Sequence, residues 1–289
     1  MQASQTVQDV AEAGRVRAPR APRRGRTARG TSGSFDPFGL VGIVLLIGLW
    51  YFATLFVEPV QLPYPHEVLS RIVGDFFGAE ELAAYGVGEG GLASSVIYTA
   101  QNVIIAIVIG SVIGVLIGLT SARVRWFRAL LDPIVLIGGT VPILVAAPFF
   151  LIWFGTGRAS AVLLITVYTM FILIVFAQRA ADNLNPVYES SALTLGAGKR
   201  RILRDVLVPG TLPEILGGIR IALAGAWGLA AIAELLGLPN GIGKVVQVLA
   251  TQSDVEGILA AVLVLGVLGV IVDALVAFGI RRMFRWRQS

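Results

Sequence analysis

The stretch YESSALTLGAGKRRILRDVLVPGTLPE, Tyr188 to Glu214, gathers Glu189, Lys199, Arg200, Arg201, Arg204, Asp205 and Glu214 inside an otherwise apolar chain. Basic residues beside glycines raise the question of phosphate binding. A phosphate-cradling loop needs G-x-x-x-x-G-K-[ST], whose backbone N–H groups and Lys hold the anion. Here Gly198-Lys199 is followed by Arg200, and the first position is Leu193. Asn240-Gly241-Ile242-Gly243-Lys244-Val245 fails the same test. Nucleotide binding by this route is excluded, so any energy input comes from another subunit. The chain has 1 histidine, His66, and 0 cysteines. That removes disulfides, cysteine-ligated clusters, thiol catalysis and a histidine-based metal cage. No catalytic residue and no metal site are expected.

The remaining chemistry-bearing residues lie inside apolar windows, where a charge is a functional candidate by default. Arg220 and Asp273 fall at similar depth in the last two windows and are expected to form an ion pair that fixes helix packing. Glu234, near the outer end of its window, either hydrogen-bonds structurally or gates; facing the path, it would repel an anion. Gln101, Asn102, Thr140 and Trp227 are the neutral polar or aromatic candidates for a translocation pathway, or simply bond to neighbouring helices. A secondary carrier or channel would couple ions through buried charges, and these are too few. An intramembrane enzyme would need a nucleophile–base or metal constellation, which spans without His or Cys do not offer.

What positions these residues is a set of long apolar segments. Of 289 residues, 56% are hydrophobic and 14% charged, against about 25% charged in soluble domains. The mean hydropathy is +0.80. A spanning helix needs roughly 20 apolar residues. Windows at 39–57, 90–122, 133–157, 159–178, 215–233 and 257–280 qualify, the fifth interrupted by Arg220 and the sixth by Asp273. The expected fold is an all-α integral membrane protein with six spans; strand-type alternation is weak, against a β-barrel.

The formal charge of +5 is read by position. Arginines crowd the tail from Arg15 to Arg29. Arg123, Arg125 and Arg128 lie between spans 2 and 3, Arg179 and the Lys199–Arg204 cluster between spans 4 and 5, and Arg281 to Arg287 after span 6. The other side has Arg71, Arg158 and Lys244. The positive-inside rule places both termini and the opening stretch in the cytoplasm. Residues 1–35 are expected to be a disordered, Arg-rich topology determinant rather than a nucleic-acid or lipid-binding arm. They are not a cleaved signal peptide. Residues 36–289 form the membrane domain. The outer face carries Glu58, Glu67, Asp75, Glu80, Glu81, Glu89, Asp254 and Glu256, either a solvated surface or a docking face for a partner with basic patches.

Local signals complete the layout. HEVLSRIVGDFF places Val68, Ile72 and Phe76 on one helical face, as in a helix lying on a membrane surface. Gly110-x-x-x-Gly114-x-x-x-Gly118 makes a flat seam for close packing of span 2. Span 3 is expected to start at Asp132-Pro133 and to be one kinked, cavity-lining helix bearing Pro142 and Pro148. LGLPNGIGKVV, 236–246, is an outer turn or re-entrant piece. In the polar excursion, Asn185-Pro186 is an N-cap followed by Pro at N1. Gly196 and Gly198 end that helix. A second helix over 199–207 is stopped by Pro209-Gly210, and the fifth span begins after Thr211, whose T-x-x-E spacing to Glu214 fits a capping box. Two short helices with a glycine bend exceed what a connection needs. The shape suits a ball in a partner's socket.

These residues resemble a family. Glu189-Ser190-Ser191-x4-Gly196-x9-Val206-x-Val208-Pro209 resembles the EAA loop of binding-protein-dependent ABC importer permeases, with serines for the usual alanines. Leu62-Pro63-Tyr64-Pro65-x-x-Val68, Leu131-Asp132-Pro133, Ile152-Trp153-Phe154-Gly155-x-Gly157, Ala233-Glu234-Leu235-Leu236-Gly237 and Gly241-x-Gly243 are similar to the nitrate/sulfonate/taurine-type branch, over roughly 38–285. The resemblance implies a type I ABC importer permease fold in the bacterial inner membrane. It implies a second permease copy, two ABC ATPases that bind ATP and Mg²⁺, an extracytoplasmic solute-binding protein, and no nucleic acid. Residues 186–207 would be coupling helices, with Glu189, Ser190, Ser191, Ala192, Leu195, Gly196, Ala197, Lys199, Arg200 and Pro209 at the ATPase contact. Substrates in this branch include sulfonates, taurine, nitrate, bicarbonate, pyrimidine precursors and aromatic acids, and selection rests largely with the binding protein.

Overall fold

The computed structural model describes residues 37–88 and 90–283. The arginine-rich segment 1–35, Glu89, Arg285 and Arg287 lie outside them. A first unit ends at Leu46 and a second runs from Ile47 onward. The described part of the first is the start of helix α1 (Pro37–Ala53). This helix ends four residues earlier than the window that predicts it, giving way to turns at Thr54.

In the second unit every regular element among the described residues is helical. Helix α2 (Pro65–Asp75) starts with Pro at its first turn, and Glu67 accepts a hydrogen bond from the Tyr64 N–H at 2.9 Å. Its Val68 is fully buried in the protein, and Ile72 and Phe76 are half-buried. After the short α3 (Glu80–Ala84) comes α4 (Gly91–Arg123), which packs most extensively on α7 (Arg158–Asp182). The glycine seam explains the fit. A Cβ on Gly114 would stand 2.7 Å from the Met170 carbonyl oxygen, and one on Gly118 would stand 2.7 Å from the Ala177 Cβ. Only hydrogen lets the two backbones approach this closely.

The third span differs from expectation. It is two helices, α5 (Arg125–Thr140) and α6 (Ile143–Phe154), bent by 97° at Val141–Pro142. Pro133 and Pro148 both lie within helices; Pro142, in extended backbone, caps α6. Among the described residues, four helices are long and apolar enough to cross a membrane, or five if the bent pair counts as one span. Besides α4 and α7 these are the run Lys199–Gly237 and α12 (Val255–Met283); α11 (Ile242–Thr251) is a shorter helix between them.

The helices of the polar excursion differ in part from expectation. Helix α8 (Pro186–Thr194) forms as expected. Beyond it, α9 (Lys199–Ile202) passes through a π-helical turn (Leu203–Leu207) directly into α10 (Val208–Gly237). Pro209-Gly210 therefore does not stop a helix. Pro209 has no N–H to return, and the ladder widens by one residue in the turn before it instead of breaking. Nor does Thr211 cap a new helix. It is fully buried within α10, and its hydroxyl donates to the Leu207 carbonyl at 2.8 Å and to Val208 at 3.2 Å.

Candidate functional site

Helix α8 is closed at both ends by its own residues. The Asn185 side chain accepts from the Val187 N–H at 3.0 Å, satisfying an orphan donor of the first turn. The hydroxyls of Ser190 and Thr194 donate back to the Pro186 and Ser190 carbonyls at 3.0 and 2.9 Å. At the C-terminus Gly196 takes φ +77°, and the Ala197 N–H reaches the Ala192 carbonyl at 2.9 Å. This is the left-handed glycine closure of a helix end. The apolar side chains of α8 and its exit face outward: Val187, Tyr188 and Leu193 are exposed, and Leu195 is 86% exposed. Ser190, Ser191, Lys199, Arg200 and Pro209 are exposed, whereas Ala192 and Ala197 are half-buried.

Glu189 faces inward. Arg123, the last residue of α4, donates from Nη1 to both its carboxylate oxygens at 2.9 and 2.8 Å. Around this contact, Arg128 forks onto Asp182 at 2.9 and 2.8 Å. Gln178 Nε2 donates to Ser121 at 2.9 Å and to Asp132 at 3.2 Å. Asn183 Nδ2 donates to Glu214 at 3.1 Å. Sequence reasoning read Arg123 and Arg128 only as topology signals. Their carboxylate partners lie 66 and 54 residues away, beyond any local pattern.

Toward the far end of α10, Glu234 is 0% exposed. Its Oε2 accepts from the Thr99 hydroxyl at 2.8 Å and the Gly243 N–H at 3.1 Å, and its Oε1 lies 3.5 Å from Asn102 Nδ2. Thr99 in turn accepts from the Ile242 N–H at 3.0 Å. The carboxylate thus clamps α4, α10 and the start of α11 together. Gly241 and Gly243 leave the room this requires: a Cβ at Gly241 would overlap the Glu234 carboxyl, and one at Gly243 the Ala231 carbonyl oxygen.

The remaining pathway candidates are dispersed. Asn102 is fully buried in the clamp, and Trp227 is buried with its ring toward Gly269 of α12. Thr140 sits exposed at the bend, its hydroxyl donating to Ile137 at 2.8 Å. Gln101 is exposed and accepts from Arg158 at 2.9 Å. Arg220 on α10 forks onto Asp273 on α12, with Nε to Oδ1 at 2.9 Å and Nη2 to Oδ2 at 2.7 Å.

Long apolar helices, a broken span, and a small helix displaying apolar side chains beside arginines define a multi-pass membrane transport subunit. The family model described as the binding-protein-dependent transport system inner membrane component matches residues 106–285. The chain is 30% identical over 244 residues to the taurine transport system permease protein TauC of Escherichia coli K12, covering 84% of this chain and 86% of that one. It is 26% identical to the nitrate import permease protein NrtB of Synechococcus elongatus, covering 81% and 85%. It is also 26% identical to the formylaminopyrimidine transport permease protein ThiX of Halalkalibacterium halodurans, covering 85% and 94%. In fold it matches a chain of the inward-facing MetNI methionine ABC transporter with TM-score 0.57 at 22% identity, over 67% of this chain and 94% of that one. A chain of a bacterial alginate ABC transporter, solved with an alginate-bound periplasmic protein, gives TM-score 0.57 at 15% identity, over 86% and 94%. This chain belongs to the family of inner-membrane permease components of binding-protein-dependent ABC transport systems. It is a transport subunit, not an enzyme.

Proposed function

We propose that this chain is one half of the membrane core of an ATP-driven importer. It crosses the bilayer six times with both termini in the cytoplasm, α1 and the broken pair supplying the spans beyond the four long helices. It pairs with a second copy, seats residues 186–207 on two cytoplasmic ATPases that hold ATP and Mg²⁺, and receives a small anionic solute from an extracytoplasmic binding protein. The relatives named for taurine and nitrate support that solute class.

The observation that carries the reading is the exposed apolar surface of Val187, Tyr188, Leu193 and Leu195 on a capped, two-turn helix. A solvated connection has no reason to display such a surface beside the arginines of the cytoplasmic side, whereas a ball entering a protein socket does. The run Lys199–Gly237 carries displacement of that ball into the membrane.

Gly196→Arg tests the assignment. A Cβ at Gly196 meets no atom within 4 Å, so the change costs only left-handed strain of about 1–2 kcal/mol. The protein is expected to reach the membrane at normal abundance and to lose co-purification of the ATPase from its native membrane, together with permease-dependent stimulation of ATP hydrolysis. Undiminished ATPase association and stimulation would refute the coupling role.

A further inference from the structure

Arg158 stands apart from the other arginines that α2, α4, α5 and α10 contribute to ion pairs. Arg71, Arg123, Arg128 and Arg220 each lie within ion-pair distance of a carboxylate. Arg158 has none among the described residues. Its guanidinium has two neutral partners: Nη2 donates to Gln101 Oε1 at 2.9 Å, and Cζ lies 4.5 Å over the Tyr98 ring. Gln101 spends its carbonyl on Arg158, which leaves its NH₂ as a further donor. The group is therefore a full positive charge held in fixed orientation by an amide acceptor and a π face, with no carboxylate within ion-pair distance among the described residues.

Its depth is fixed by the α4–α7 seam. The two helices run parallel, with Gln101 level with Arg158 and Gly118 level with Ile174 and Ala177. About 20 residues cross the hydrocarbon. Counted back from the arginine at the end of α4, this places Gln101 and Arg158 at the outer boundary. There the chain between α6 and α7, Gly155-Thr156-Gly157, is not helical, and Gly155, Thr156 and Arg158 are exposed. Non-helical backbone at membrane depth is tolerated only against protein or a water-filled cavity, and a lipid-facing Arg is costly. Tyr98 also walls an outer cavity of about 410 Å³ with Ser94, Ser95 and Asn240. Glu234, the acidic group that would repel an anion from this region, is sealed within its clamp.

We propose that Arg158, oriented by Tyr98 and Gln101, is the oxyanion-binding point at the outer mouth of the pathway. It takes the sulfonate-, carboxylate- or nitrate-type group of an arriving solute on its planar fork of N–H donors. This rests on the importer reading and gives its anionic solute a contact on the permease itself.

The absence of native cysteine allows a direct test on the full-length chain in proteoliposomes. Thr156→Cys, two residues before Arg158, and separately Ser94→Cys, in the cavity wall, are reacted with the anionic 2-sulfonatoethyl and the cationic 2-trimethylammonioethyl methanethiosulfonates. One unit charge about 8 Å away, in a water-like dielectric, favours the anion over the cation by about fivefold. The expected result is at least that preference at Thr156→Cys and a smaller one at Ser94→Cys. Arg158→Gln should abolish both, and millimolar ethanesulfonate should slow modification only when Arg158 is present. Equal rates for the two reagents, a preference that survives Arg158→Gln, or no reaction at either cysteine would overturn the proposal. The outcome is independent of ATP. Loss of the ATPase in the importer test with this preference intact would sink only the importer reading.

Discussion

Replacing Glu234 separates a structural carboxylate from a gating one, and the size of the effect follows from its partners. Glu234→Ala removes the acceptor of three donors: the Thr99 hydroxyl, the Gly243 N–H and the Asn102 amide. These are not equal losses. The Thr99 hydroxyl already reaches the Ser95 carbonyl at 3.1 Å and keeps that partner. The Asn102 contact, at 3.5 Å, is at the limit of a hydrogen bond. The Gly243 N–H has no such substitute, and orphaning a buried donor costs about 1–3 kcal/mol. One lost methylene adds about 0.8 kcal/mol. The total is on the order of 2–4 kcal/mol, which at roughly 2–4 °C per kcal/mol is a fall in Tm of roughly 5–15 °C. Glu234→Gln keeps one oxygen acceptor for Gly243 and should recover more than half of that loss. Thermal unfolding of the purified chain in detergent measures both variants. A wild-type Tm for Glu234→Ala, accompanied by lost transport, would refute the clamp and leave a gate. Equal losses for Ala and Gln would show that charge, not hydrogen bonding, is what the site needs.

Other outcomes follow from the ion pairs around α8 and α10 and from the glycine seam. The Arg123–Glu189 pair is about one-third exposed on both sides, so Arg123→Glu or Glu189→Arg alone should cost no more than about 1 kcal/mol of stability. Each should nonetheless lower ATPase coupling, and the double exchange should restore it; no restoration would mean that Glu189 serves the ATPase rather than α4. Exchanging Arg220 and Asp273 together should likewise recover assembly lost in either single variant, read by size-exclusion profile in detergent; failure of the exchange would show that one of the two charges has a separate task. Gly114→Leu should destabilise by about 1–3 kcal/mol or more, because its first carbon already meets the Met170 carbonyl and Leu173; an unchanged Tm would contradict the close α4–α7 approach.

The parts of this molecule that were legible in its sequence are those set by short-range rules. The glycine seam, the Asn185-Pro186 start of α8 and its Gly196 end each rest on residues within a few positions of one another. Pro209-Gly210 obeyed the same rules and misled, because a helix that is buried at Leu207 and Thr211 gains more by widening one turn than by ending. The third span was misread for a related reason. Pro142 and Pro148 looked alike as kink sites and Pro133 like a helix start, but Pro142 alone stands at the break and the other two lie within helices. The Glu234 clamp and the Arg123–Glu189 contact were illegible, since their partners lie 135 and 66 residues apart. Arg158 was counted only as an outer-side charge. What sets it against Tyr98 and Gln101 rather than a carboxylate is a property of packing.

The π turn has a mechanical consequence. By joining Lys199 to Gly237 without a break, it makes a single rod of about 58 Å. A Cβ on Gly218 would stand 2.6 Å from the Phe176 ring, and one on Gly225 would overlap the Tyr168 hydroxyl, so the rod is seated against α7 over two turns rather than at one point. A stiff rod bedded along a neighbour in this way shifts as one body, so that a displacement at Lys199 and one at the Glu234 clamp would be two ends of one motion.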